Sequence, residues 1–267
     1  MLKKIKEIFT NTGPKILVNK KFKNINLNNF NNVNFKSFGK LNKNKIFYII
    51  RRHPTAGFFS NITFVLNHLK ICEDFKFIPI IDMQNYPTLH NEVRSIKKVK
   101  NAWEYYFKKL NNHSLNEIYK SKNVFLSSTR FEKNMSLDMT DDTISRYFQK
   151  IKLKDNIIKK ANKFVKKNFK KNNKILGVHF RGSTYKTARG HAFPPTIELM
   201  VKNIELLMQK YKYNKIFLVS EEENYLKALQ KRFKNKLIFF TSFRMNKIDS
   251  FKIYPRKNHR YLLGEEI

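Results

Sequence analysis

The hydrophobic positions fall into short continuous runs, separated by longer stretches where apolar residues recur every three or four places. Ile46-Phe47-Tyr48-Ile49-Ile50 reads as a strand, since five apolar residues without polar alternation suit a strand covered on both faces. A loop holding Pro54 and Gly57 follows, then a helical stretch from about Asn61 to Cys72, then a second apolar run, Phe77-Ile78-Pro79-Ile80-Ile81. Strand, helix and strand in that order predict a parallel α/β unit. Pro79 has no N–H to give to a ladder, so its strand is expected at a sheet edge or a bulge. Trp103 to Leu110 predicts an aromatic-rich helix, Asn123 to Ser127 a short strand, and Thr143 to Lys171 one long or two shorter lysine-bearing helices.

A second unit opens with the strand Lys174 to Phe180. Pro194-Pro195 then start a helix whose apolar stripe is Ile197, Met200, Val201, Ile204, Leu207 and Met208. Lys215 to Val219 predicts the next strand, Glu221 to about Phe233 a helix, and Lys236 to Phe240 another strand. The expected organisation is a Lys/Asn-rich lead-in over 1–44, an α/β domain over 45–165 and a second over 166–267. Within the lead-in, Leu2, Ile5 and Phe9 lie at helical spacing among Lys3, Lys4 and Lys6, a pattern that admits a membrane-surface helix. Gly13-Pro14 and the asparagines that follow favour a solvated segment instead.

Composition narrows the class. Hydrophobic residues make up 41% of the chain and aromatics 14%, too apolar for a disordered basic tail. The 55 Lys+Arg against 20 Asp+Glu give a formal charge of +35, which draws such a chain toward anionic lipids, nucleic acids or phosphorylated substrates. Most of that excess is lysine and accompanies many Asn, Ile and Phe, as an A/T-rich codon bias would also produce. A single cysteine, Cys72, excludes an intramolecular disulfide, and no apolar run approaches the roughly 20 residues of a membrane-spanning helix. Met1 to Phe9 lacks the apolar core of a secretory signal, so the expected compartment is the cytoplasm, with peripheral contact at the inner membrane admitted by the charge.

Several chemistries lose their usual marks. No two of the seven glycines have the spacing of a dinucleotide fingerprint. Gly177 and Gly182 have phosphate-loop spacing, but Ser183 stands where that loop needs lysine. There is no G-x-S-x-G elbow, no H-E-x-x-H pair and no thiolate set for zinc. The informative stretch is Gly177-Val178-His179-Phe180-Arg181-Gly182-Ser183-Thr184-Tyr185, at the carboxyl end of the second unit's first strand. Residues i and i+2 of a strand share a face, so His179 and Arg181 are expected side by side where open α/β sheets bind ligands. Arg181 offers a planar fork suited to phosphate, and Gly182 permits close backbone approach. A core histidine and a surface ion pair are the plain alternative for these two residues.

The arrangement resembles the fucosyltransferase superfamily that includes nodulation-factor and core α1,6-fucosyltransferases and protein O-fucosyltransferases. The resemblance runs from about Phe47 onward. It is carried by Ala56-Gly57-Phe58-Phe59-Ser60-Asn61, Ile80-Ile81-Asp82-Met83-Gln84-Asn85-Tyr86-Pro87, Asn101-Ala102-Trp103-Glu104-Tyr105-Tyr106-Phe107 and Gly177 to Gly182. His191-Ala192-Phe193-Pro194-Pro195-Thr196 and Phe217-Leu218-Val219-Ser220-Glu221-Glu222-Glu223 complete the series. It implies two facing Rossmann-like domains of GT-B type. It further implies metal-independent, inverting transfer of fucose from GDP-fucose to a glycan acceptor in surface-polysaccharide synthesis, with no other cofactor.

The resemblance assigns Arg181 to the donor's β-phosphate as the catalytic group. His179, Gly182, Ser183 and Ser220 bind the donor, and Gly57 and Asn61 approach it from the first domain across a cleft. Thr184 departs from an aspartate common in the family, and Ser220-Glu221-Glu222 from acidic residues after a threonine. Asn258 to Ile267 looks like the start of a helix that relatives continue, so the second domain is expected to be truncated, and an inactive member of the family is one alternative. A basic nucleic-acid-binding protein is the other, suggested by +35 and by aromatics among lysines at Trp103 to Lys109. Scarce arginine and the lack of any recognised motif weigh against specific nucleic-acid recognition. Asp82 and Glu104 are candidate general bases; a strand-end cap and a solvated helix face are their plain alternatives.

Overall fold

The structure, a computed structural model, describes residues 34–54, 56–129, 141–182, 193–242 and 244. It divides into two compact units, with the boundary between Lys154 and Asp155. Residues 1–33, where the sequence favours a solvated segment over a surface helix, and the last residues from Met245 on lie outside the described residues.

In the first unit β1 (Asn34–Lys36), β2 (Phe47–Ile50), β3 (Ile78–Ile81) and β4 (Val124–Leu126) form one sheet in the order β1-β4-β2-β3. β2 is parallel to both neighbours, and β1 closes the far edge antiparallel to β4. Every residue of β2 is buried, as its unbroken apolar run requires of a central strand. β3 lies at the edge, where Pro79 costs no ladder bond on the open side. α1 (Phe58–Phe75) links β2 to β3 and ends at Lys76, whose left-handed conformation (φ 57°) lets its N–H reach the carbonyls of Cys72 and Glu73. β1 was not foreseen, because Asn34-Phe35-Lys36 offers only one apolar residue; pairing with β4, and Phe35 against Phe125, supplies what its propensity lacks.

The helix expected over Trp103 to Leu110 is one turn, α2 (Trp103–Tyr106); Phe107 is extended and bridges to Leu153. Burial of Trp103, Tyr105, Tyr106 and Phe107 outweighs helix continuation. α3 (Leu115–Ile118) is a further single turn, capped by Ser114 accepting the Glu117 N–H. The lysine-rich helical stretch is two helices, α4 (Asp141–Phe148) and α5 (Asp155–Asn168), and Glu73 of α1 takes ion pairs from Arg146 and Lys150 at the end of α4.

Among its described residues the second unit holds three parallel strands, β5 (Ile175–His179), β6 (Lys215–Val219) and β7 (Leu237–Phe239), in that order. α6 (Ile197–Tyr211) and α7 (Glu223–Phe233) make the two crossovers. α6 starts after the prolines, where the Thr196 hydroxyl accepts the Leu199 N–H. Val178, Ile216 and Leu218 pack with Ile204, Leu226 and Leu229 from these helices. Phe217, between Ile216 and Leu218, points the other way and meets Phe164 of α5 (ring centroids 5.7 Å apart), so α5 covers the opposite sheet face.

Candidate functional site

At the carboxyl end of β5 the side chains alternate as a strand demands. Val178 and Phe180 are buried, while His179 and Arg181 are exposed. The chain stays in register just past the strand: the Phe180 N–H donates to the Val219 carbonyl (3.0 Å), and its ring stacks on Tyr225 of α7 with centroids 3.7 Å apart and planes 9° from parallel. Arg181 therefore leaves the sheet from an anchored backbone. Its Nε lies 4.0 Å from Glu221 Oε1, and its side chain keeps 48% exposure, so about half of it faces solvent beside an acidic neighbour.

The same Glu221 oxygen accepts the Gly182 N–H at 3.0 Å. A Cβ at Gly182 would lie 2.3 Å from Glu222 Oε1 and 2.8 Å from Tyr225 Cε2, so the close approach here admits only glycine without movement. Beneath the loop, Ser220 is buried and its hydroxyl accepts the Glu222 N–H (3.2 Å). Arg244, also buried, donates from Nε to the Ser220 carbonyl (3.0 Å) and from Nη2 to that of Phe240 (2.8 Å). The structure thus gathers His179, Arg181, Gly182 and Ser220 at the adjacent ends of β5 and β6, where His179 pairs with Val219. Ser183 and Thr184 lie outside the described residues.

Gly57 and Asn61 occupy the equivalent place in the first unit, the start of the helix after β2. Gly57 is the N-cap of α1 and offers no side chain to the first-turn N–H groups, with open space where a Cβ would stand. Asn61 is buried, and its Oδ1 has no hydrogen-bond partner among the described residues. Around them Arg52, buried at the end of β2, donates to Ser60 Oγ (2.8 Å) and to the Thr129 carbonyl (3.2 Å) and lies over the Phe64 ring. Arg51 donates to the Ser127 carbonyl after β4. β3 and β4 flank β2 on opposite sides, so these loops frame a topological switch point, where α/β sheets open a crevice.

The two candidate bases differ. Asp82 is fully buried and accepts four donors: the N–H groups of Gln84 (3.0 Å) and Asn85 (2.8 Å), the Asn85 amide (2.9 Å) and the Tyr119 hydroxyl (2.6 Å). Burial, then the Asp82 hydrogen bond, push the Tyr119 hydroxyl well above its ordinary value. Asp82 is committed to the fold. Glu104 is more accessible, accepting from the Asn101 amide (3.2 Å) with Lys109 at 3.9 Å. Asn101 itself clamps the end of β3, taking the Met83 N–H (3.1 Å) and donating to the Ile81 carbonyl (2.8 Å).

Glu221 and Arg244 are neighbours of the candidate site that sequence reasoning did not assign to it. Glu221 had a signal, an acidic residue directly after a strand that pairs with the one carrying Arg181; Arg244 had none.

Both units are Rossmann-like α/β folds, the kind of domain from which folds of GT-B type are built. No protein-family model matches the sequence, and no curated protein matches it. Among solved structures the fold is that of NodZ, an α1,6-fucosyltransferase. NodZ co-crystallised with GDP superposes with a TM-score of 0.51 at 13% identity, over 84% of this chain and 83% of the other. Fucosyltransferase NodZ from Bradyrhizobium gives the same figures. NodZ soaked with GDP-fucose gives 0.50 at 13% identity, over 83% and 82%.

Proposed function

We propose that this protein is a glycosyltransferase that moves fucose from GDP-fucose to a glycan acceptor, without a metal and with inversion at the anomeric carbon. The observation that carries this reading is the Arg181 loop. A half-exposed guanidinium leaves a strand end in a NodZ-type fold, with Glu221 beside it and followed by a glycine at which any Cβ would require Glu222 and Tyr225 to move. In the proposed step the acceptor hydroxyl oxygen attacks C1 of fucose and gives up its proton to solvent, as the bond from C1 to the β-phosphate oxygen breaks and the electron pair leaves with GDP. Arg181 stabilises the charge that grows on the β-phosphate, where a preformed cation needs no reorganisation. His179, Gly182 and Ser220 are the donor-binding residues on this side, Ser220 from its buried place beneath the loop. Ser183 is assigned with them from the sequence alone. Gly57 and Asn61 add backbone and amide donors toward the pyrophosphate.

Surface-polysaccharide synthesis at the cytoplasmic side of the inner membrane is the setting this chemistry fits. The test is donor turnover with EDTA present: GDP release from GDP-fucose in the wild type, reduced at least about a hundredfold in Arg181→Ala. Turnover equal in the two proteins, or turnover only on adding a divalent cation, would overturn the reading.

A further inference from the structure

We infer that α5 is an interfacial helix that seats the second unit on an anionic lipid surface. From Asn156 to Gly182 the chain has no Asp or Glu and carries eight Lys and one Arg. α5 occupies the start of this stretch and buries none of its residues fully. It is held to the sheet by one side, where Phe164 meets Phe217 and Phe240 (centroids 5.7 and 5.3 Å). Ile158 and Val165, seven residues apart and hence on one side of the helix, are 41% and 45% exposed. By helical geometry they stand about 100° round from Phe164. Lys159, Lys163, Lys166 and Lys167 are exposed on the remaining arc.

A solvated basic helix does not need the two exposed branched apolar residues, and a core helix does not tolerate the lysines. An interfacial helix uses both, sinking a narrow apolar edge below the headgroups while long lysine stems keep their ammonium groups among the phosphates. Charge complementarity therefore selects an anionic bilayer. A nucleic acid would use the lysines and leave Ile158 and Val165 in water. No helix among the described residues is long and apolar enough to cross a membrane, so the attachment inferred is peripheral. The inference stands on α5 alone and is independent of the donor chemistry.

The full chain should co-sediment with phosphatidylcholine vesicles containing about 30% phosphatidylglycerol at least about tenfold better than with pure phosphatidylcholine. Ile158→Ser with Val165→Ser should cut that binding about fivefold or more at about 150 mM salt, where the apolar share persists. Reversal of Lys159, Lys163, Lys166 and Lys167 to Glu should cut it at least about tenfold. Reversal of Lys202, Lys210, Lys227 and Lys231 on α6 and α7 changes net charge equally and should cost much less. As a readout that needs no loss of function, Val165→Trp should shift its emission to the blue on the anionic vesicles. Equal loss from the two sets of reversals would assign the effect to net charge and overturn the inference. So would an unshifted Val165→Trp, or tighter retention on duplex DNA than on vesicles with the Ile158/Val165 double variant unaffected.

Discussion

The two units hold motif residues of similar chemical type and use them in opposite ways. In the first, Asp82, Asn101 and Trp103 are buried, and the two polar side chains among them are spent on tying loops to the end of β3. In the second, His179 and Arg181 at the end of β5 stay exposed, while residues between and beneath them, Phe180, Gly182, Ser220 and Arg244 among them, are buried. A polar residue in a suggestive motif is thus a candidate for chemistry only when the fold has not already used its hydrogen-bonding capacity. Asp82, fully buried under four donors, fails that criterion, whereas Arg181 keeps about half of its side chain exposed.

The sharpest way to break this contrast is Asp82→Ala. It strands four donors around a buried site and should destabilise the protein by about 3 kcal/mol or more in urea unfolding. If its stability were unchanged while GDP-fucose turnover vanished, Asp82 would belong with the chemistry after all.

Next in size is an acid effect confined to the first unit. His68 is buried against the Tyr48 hydroxyl (2.9 Å), and burial, then the Arg52 charge, lower it to about 3. An unfolded histidine takes up its proton near pH 6.5 whereas this one stays neutral, so between roughly pH 6.5 and 3 the unfolded chain binds more protons. Stability should therefore fall as pH falls through that window, by up to about 1.4 kcal/mol per pH unit. His68→Phe should flatten this slope in unfolding measured from pH 7 to 5; an unchanged slope would remove His68 as its origin.

Gly182→Ala should act in the second unit, costing about 1–3 kcal/mol because the methyl meets Glu222 and Tyr225. Its effect on donor turnover should exceed that on stability, since the displaced backbone carries Arg181. Stability loss with full turnover would separate the loop from the reaction.

Much of this architecture was legible in the sequence. Continuous apolar runs marked β2, β3, β5 and β6, the Pro79 signal marked an edge, and the i, i+2 rule placed His179 and Arg181 on one face. Local pattern failed where long-range packing decided the outcome. β1 has too few apolar residues to declare itself. The single turn of α2 ends because Phe107 gains more as an extended partner of Leu153 than as a continuing helix. The ion pair from Arg181 to Glu221 spans two strands, so only the parallel register of β5 and β6 brings it together.

The smallest stability effect and the most direct test belong to the same residue. Arg181→Ala should change unfolding stability by less than about 0.5 kcal/mol, because the side chain is half exposed and its pair with Glu221 is long. Calorimetric titration of GDP with EDTA present should show this variant weakened by about 1.5–3 kcal/mol, the range for a hydrogen bond to a charged group. Arg181→Lys should also weaken, because an ammonium cannot reproduce the bidentate fork. GDP binding equal in wild type and Arg181→Ala would contradict the account.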